Sequence, residues 1–323
     1  MTEAGASVQA VVDAGGESGA RLLGALEERL TELCTGHGEL LARYAGATIT
    51  AGGKRLRPLL TFLAAGAPPP ETDHLLRAGV AVELVHSATL VHDDVLDGSD
   101  LRRGRPTVVA VAGRRMATAT GDLLFSRAFA ELRATGSVAS VRVLSRASSG
   151  LAVGELMQRA DAFRVVEVDR YLERCRCKTG VLFRAACELG VLAIGGEPGP
   201  LGDFGERIGL AFQLLDDVLD VSGPPERTGK PRGADLLDGT VTLPLVLAAR
   251  DDRALADLDL RSIATPEAAA EVCERIERTG ALHRARETAL RMVAAAKAGL
   301  PRLGDEQRAA LELVADGVVE RYA

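Results

Sequence analysis

No tryptophan occurs among the 323 residues, and aromatic residues make up only 3% of the chain. A core with so few rings has to be filled by leucine, alanine and valine. That suits closely packed helices better than sheets, whose strands favour aromatic and β-branched residues. Cysteine is scarce as well: Cys34, Cys175, Cys177, Cys187 and Cys273 are odd in number and irregular in spacing. This argues against a disulfide framework or a zinc site and fits a reduced, cytoplasmic compartment. Positive charge is not in excess: 39 Lys and Arg stand against 45 Asp and Glu, a net charge of -6. Non-specific nucleic-acid binding is thereby disfavoured. The first residues carry neither a basic n-region nor an apolar h-region, so they do not form a signal peptide, and residues 1–20 read as a disordered tail. The longest uncharged apolar-rich run, Pro58 to Pro70, is too short and too rich in proline to span a bilayer. The chain is expected to be soluble, yet able to handle a lipid and release it at a membrane surface.

Hydrophobic residues are 47% and charged residues 26%, the balance of a folded globular chain. From Arg21 to Tyr44, leucines recur three and four apart with charges between them, a helical period. His74–Asp97 is apolar nearly all round, as in a helix buried at the centre of a bundle, and Phe204–Val221 reads the same way. Breakers fall at Gly66–Pro70, Gly195–Gly199 and Gly223–Gly233, and Thr265–Ala323 is again periodic. No alternating strand and no repeat is found. The expectation is a single all-α domain over residues 21–323.

Two acidic clusters carry the chemistry. Asp93, Asp94 and Asp97 close one apolar helical segment, and Asp216, Asp217 and Asp220 close the other, each as D-D-x-x-D. Positions i and i+4 share a helix face, so Asp93 projects with Asp97 and Asp216 with Asp220. Like charges at that spacing oppose the helix, and a cation has to compensate them if they are buried. Carboxylates without His or Cys on that face suit a hard, oxygen-seeking ion. Mg²⁺ fits best, because it keeps coordination positions open for phosphate oxygens. One such cluster reads equally well as a solvated acidic helix end; two copies, each ending an apolar helix, argue against coincidence.

Matching cations are present. Gly52-Gly53-Lys54-Arg55-Leu56-Arg57-Pro58 sets three basic residues behind a glycine pair. Arg102-Arg103-Gly104-Arg105-Pro106-Thr107 follows the first acidic cluster, and Lys178-Thr179-Gly180 and Gly229-Lys230 supply two more. Glycine permits close backbone approach to an anion, lysine gives a point charge and arginine a bidentate fork. Taken singly, each of these reads as a solvated basic loop.

Taken together they do not. GGKRLRP at 52–58, HSATLVHDDVLDGSDLRRGRPTV at 86–108, GELMQ at 154–158, KTG at 178–180, GLAFQLLDDVLD at 209–220 and GKPRGADLLDGTVTLP at 229–244 resemble, in order, the trans-isoprenyl diphosphate synthases, or polyprenyl synthetases. The resemblance implies an all-α isoprenoid-synthase bundle around a deep central cavity, usually a homodimer, with the two Asp-rich helices facing each other across the cavity mouth. It implies three Mg²⁺ ions on the diphosphate of an allylic substrate, with Asp93 and Asp97 holding two and Asp216 the third. Asp94, Asp217 and Asp220 would support them. Arg102, Lys178 and Lys230 would contact the allylic diphosphate, with Thr179 and Gln213 beside it. Lys54, Arg57, His86 and Arg103 would hold isopentenyl diphosphate without metal. The implied reaction ionises the allylic C–O bond, lets the double bond of isopentenyl diphosphate attack the cation, and passes the lost proton to the released diphosphate.

Two positions depart from short-chain members: Thr240 stands where they carry lysine, and Gln158 where they carry an acid. Both departures are familiar among long-chain members. Four and five residues before Asp93, where short-chain members place bulky aromatics, stand Thr89 and Ala88. One turn earlier Leu84, Val85 and Ala81 offer no ring either. The resemblance thus implies a product of C30 or more, with C20 as the alternative and Phe125 or Phe129 as an alternative pocket floor. A terpene cyclase of the same fold and a non-catalytic synthase subunit are the competing functions. Both intact acidic clusters and the Lys54/Arg57 pair argue against them.

Overall fold

Leucine and alanine at three- and four-residue spacing give helices throughout. The computed structural model describes residues 16–35, 39–50, 53, 55–66, 72–102, 104–224 and 231–320. The helices are α1 Gly16–Thr35, α2 Glu39–Thr50, α3 Leu56–Ala65, α4 Asp73–Asp97, α5 Val108–Ala134, α6 Val138–Asp161, α7 Val168–Cys175, α8 Val181–Ala193 and α9 Gly199–Ser222. There follow α10 Ala234–Leu237, α11 Leu243–Asp251, α12 Arg253–Ala256, α13 Pro266–Arg278, α14 Ala281–Ala298 and α15 Asp305–Glu320. A π-helical turn, Arg176–Gly180, joins α7 to α8. The one sheet among the described residues is a short hairpin, β1 Leu101–Arg102 with β2 Arg105–Pro106.

The segment with a helical period from Arg21 to Tyr44 falls on α1 and α2, with Gly36, His37 and Gly38 between them outside the described residues. Helix α1 begins at Gly16, inside the stretch read as a tail; residues 1–15 lie outside the described residues. The periodic C-terminal stretch is three helices. The Thr265 hydroxyl caps α13 by accepting from the Ala268 N–H at 3.3 Å, and Gly280, at φ 73°, turns the chain into α14.

Contacts divide the chain into two compact units. Unit one is Met1–Ser148, Leu182–Gly205 and Leu300–Val314. In it α4 lies along α5 and against α3. Leu75, Val80, Val82, Leu84, Val85 and Ala88 of α4 are all buried, so the helix is enclosed on every face. Gly79 admits the Phe62 ring, which a Cβ there would approach to 2.7 Å. Unit two is Ser149–Val181, Glu206–Gly299 and Ala315–Ala323. Its core gathers Val221, Leu236, Leu245, Val246, Cys273 and Ile276. All five cysteines are buried free thiols. Among the described residues no helix is long and apolar enough to cross a membrane.

Candidate active site

In unit one, α4 ends at Gly98, whose φ of 64° stops the helix while its N–H donates to the Asp94 carbonyl. The acidic triplet at this end is not used uniformly. Asp93 is half-buried and Asp97 exposed, whereas Asp94 is buried. The Nε and Nη2 of Arg102 both lie 2.7 Å from Asp94 Oδ1. Burial pushes the Asp94 carboxyl above the usual carboxylate range, against the pull of Arg102. Arg102 reaches Asp94 because the hairpin folds back: Thr107 donates its hydroxyl to Ser99 O at 2.6 Å and caps α5 at the Ala110 N–H. Arg103 lies outside the described residues. A cavity of about 340 Å³ opens beside the Asp94–Arg102 pair, lined also by Arg43, Tyr44, Leu90 and Val111.

The GGKRLRP segment enters α3 in the same unit. Lys54 lies outside the described residues. Arg55 takes the left-handed conformation, φ 47°, and its guanidinium makes four hydrogen bonds within the protein. It donates to Glu27 Oε1 at 2.6 Å and Oε2 at 3.0 Å, to Glu83 Oε1 at 2.5 Å and to Ile49 O at 2.9 Å. Arg57 is half-buried with its guanidinium over the Phe183 ring, 4.6 Å from the centroid. His86, also half-buried, offers its carbonyl to the Thr89 hydroxyl at 2.8 Å.

In unit two, the second triplet ends α9. Asp216 is half-buried; Asp217 and Asp220 are each 3% exposed. Asp220 Oδ2 accepts from the Asp235 N–H at 3.3 Å and its carbonyl from Gly233 at 2.9 Å, which seats the start of α10. Asp217 accepts the Tyr171 hydroxyl at 2.5 Å and Gln213 Nε2 at 2.8 Å. Burial drives its carboxyl well above the ordinary range. The Thr179 hydroxyl donates in turn to Gln213 Oε1 at 2.7 Å. Lys178, beside it in the π-helical turn, donates to Glu155 Oε2 at 3.0 Å and Gln158 Oε1 at 2.9 Å. Lys230 lies outside the described residues.

A sequence profile described as polyprenyl synthetase matches residues 38–277. The chain belongs to this family. This polyprenyl synthetase is 40% identical over 268 residues to heptaprenyl diphosphate synthase component 2 of Geobacillus stearothermophilus, covering 81% of this chain and 83% of that one. The crystal structure of a polyprenyl synthase from Caulobacter crescentus, complexed with calcium and isoprenyl diphosphate, superposes with a TM-score of 0.89 at 37% identity, covering 97% and 98% of the two chains. A decaprenyl diphosphate synthase from Rhodobacter capsulatus gives a TM-score of 0.87 at 32% identity over 96% and 99%. The all-α isoprenoid-synthase fold and the prenyltransferase class expected from the sequence are therefore correct.

Within unit one the structure brings Asp94 together with Arg102, and within unit two Thr179, Gln213 and Asp217 form one hydrogen-bonded set, while Lys178, next to Thr179 in the chain, bonds Glu155 and Gln158. Asp93 and Asp97, four residues apart near the open end of α4, offer oxygen donors only. Among the described residues no three His, Cys, Asp or Glu side chains converge on one point. An ion at Asp93 and Asp97 would draw its other ligands from water or phosphate oxygens, the usual way of holding Mg²⁺. The sequence reading missed three participants. Glu155 lies inside the GELMQ segment itself, but its partner Lys178 is 23 residues away. Tyr171 and Glu83 had no local signal, since each meets its partner across 46 and 28 residues of chain respectively.

Proposed function

We propose that this polyprenyl synthetase condenses an allylic diphosphate with isopentenyl diphosphate and extends it to an all-trans product of C30 or more. The observation that carries the chemistry is the division within each acidic triplet. Asp93, Asp97 and Asp216 reach solvent, while Asp94, Asp217 and Asp220 are buried and bonded inside the protein. The first three are the proposed ligands of divalent ions, three Mg²⁺ in the full complement. When bound, such ions offset the negative charge that builds on a departing diphosphate. Lys178, Thr179, Gln213, Arg102 and Lys230 bind the allylic diphosphate. The Arg102 side chain is 33% exposed, so it is reachable even while it pairs with Asp94. Lys54, Arg57, His86 and Arg103 orient isopentenyl diphosphate. Asp94, Asp217 and Asp220 hold the helix ends that present the ligands. The calcium and isoprenyl diphosphate of the Caulobacter crescentus structure support the metal reading.

Product length rests on Thr89, a small half-buried residue four before Asp93, and the heptaprenyl and decaprenyl relatives support it. Incubating the purified chain with farnesyl diphosphate, labelled isopentenyl diphosphate and Mg²⁺ tests both parts. Chromatography should show products of C30 or more. Products ending at C20 would overturn the length, and a cyclic hydrocarbon would overturn the elongating reaction. The proposed assembly is a homodimer, supported by exposed Val153 and Leu156 on α6. Turnover that required a second, different chain would replace it, as the word component in the Geobacillus stearothermophilus name suggests for that protein. Five buried free thiols support a reducing, cytoplasmic compartment.

A further inference from the structure

Helix α6 meets the π-helical turn through Gly154. A Cβ at that position would come within 2.5 Å of the Lys178 backbone nitrogen and 2.8 Å of its Cα. Only glycine allows this approach, and it brings the next two polar residues on that side of α6, Glu155 and Gln158, onto the Lys178 ammonium. Lys178 has three N–H donors. One goes to Glu155 Oε2 at 3.0 Å and one to Gln158 Oε1 at 2.9 Å, and the side chain is 30% exposed. Glu155 is itself shared, because Arg159 Nε donates to its other oxygen at 2.8 Å. The ammonium is therefore held in place by two acceptors, of which, among the described residues, one is a carboxylate, and that carboxylate is partly taken by a second cation.

We infer that Gln158 sets the strength with which Lys178 grips an anionic substrate group: it positions the ammonium without neutralising it. A carboxylate of the same shape at position 158 would give Lys178 two anionic partners. An incoming diphosphate would then have to compete with both. The inference rests on the reading that Lys178 contacts the allylic diphosphate, and it adds Gln158 and Glu155 as positioning residues that tune affinity there.

The test is steady-state kinetics with farnesyl diphosphate and isopentenyl diphosphate varied separately, for Gln158→Glu, Glu155→Gln, the double exchange and Lys178→Ala. Gln158→Glu should raise KM for the allylic substrate roughly three- to tenfold, the scale of one partly exposed charge contact. KM for isopentenyl diphosphate should not move. Glu155→Gln should lower the allylic KM, and the double exchange, which swaps charge and amide, should return it close to the wild-type value. A purely structural role for Gln158 would not produce opposite shifts that cancel. If Lys178→Ala raises the allylic KM and Gln158→Glu does not, the inference fails while the site assignment stands. If Lys178→Ala leaves the allylic KM unchanged, the site assignment itself fails. Should Gln158→Glu not fold, an unchanged or raised allylic KM in Glu155→Gln overturns the inference on its own.

Discussion

The Tyr171 hydroxyl donates to Asp217 at 2.5 Å, and both side chains are buried in unit two. Burial and the adjacent Asp217 charge drive the tyrosine pKa far up, so Tyr171 stays a donor at any working pH. From Asp217 the connection runs through Gln213 to Thr179, next to Lys178. Tyr171→Phe would leave a buried carboxylate oxygen without its donor. It should lower stability by about 1–3 kcal/mol, read as a lower urea midpoint at unchanged m-value.

Arg55 sits in a run of basic residues that looks built for phosphate, yet its guanidinium is spent on the protein. Its side chain is 9% exposed and that of Glu83 6%, so the pair is effectively buried. Arg55→Ala would strand the Glu83 carboxylate and should cost about 3–5 kcal/mol. Glu83→Gln should cost less, and the double variant less than the sum of the singles. Lys54→Ala should behave differently. It should raise KM for isopentenyl diphosphate with little change in stability. Denaturation curves and KM values measured on the same preparations separate the two kinds of residue.

The contrast between Arg55 and Lys54 marks what a single sequence can disclose. The D-D-x-x-D ends of α4 and α9 are legible because their chemistry is local: spacing on one helix says which acids share a face. The enclosed character of α4 is legible for the same reason, since apolar residues on every side require a buried helix. The partners of those acids are not local. Asp94 with Arg102, Tyr171 with Asp217 and Arg55 with Glu83 are joined by tertiary packing, and no pattern in either segment names the other. The π-helical turn at Arg176–Gly180 is equally silent, because KTG taken alone reads as a solvated basic loop. Gly154 shows only in space why it is glycine.

The acid limb of stability should report on Glu155. Burial raises its carboxyl pKa, but Lys178 and Arg159 more than offset that and hold it below the ordinary value. A depressed folded-state pKa gives stability that is present above the unfolded value of about 4.3 and lost as pH falls through the folded one. The side chain is 20% exposed, so the effect is small, at most about 1 kcal/mol. Glu155→Gln should flatten the fall in Tm between about pH 5 and pH 3. An unchanged acid limb would show that the carboxylate contributes nothing there.

Metal dependence should follow the split within the first triplet. Excess EDTA should abolish turnover, and Mg²⁺ or Mn²⁺ should restore it. Asp93→Asn removes a proposed ligand and should lower kcat by several orders of magnitude, since charge stabilisation in the transition state is the largest catalytic term. Asp94→Asn instead removes the negative charge that faces Arg102 and should act more on Tm than Asp93→Asn does, with the smaller loss in kcat. Equal losses in kcat for the two variants would contradict the assignment of Asp94 as support.

Product length should turn on Thr89 more than on Ala88. Both are small, but Ala88 is 0% exposed and packed on all sides, while Thr89 is half-buried. A phenylalanine at 88 has no space to enter and should cost about 1–3 kcal/mol or more through overpacking. At 89 the bond lost, among the described residues, is the local one from the threonine hydroxyl to His86 O, at 2.8 Å. Thr89→Phe should therefore stay folded, complete the first condensation and stop at C15–C20. One helical turn is about 5.4 Å, close to one extended isoprene unit, so a ring at this level shortens the pocket by at least one unit. The competing floor is on α5, where Phe125 stacks on His92 with ring centroids 5.9 Å apart. If a folded Thr89→Phe enzyme makes the same products as wild type, the floor is not at α4. Phe125→Ala and Phe129→Ala would then lengthen the product instead, whereas no lengthening is expected from either if the tail runs past Thr89.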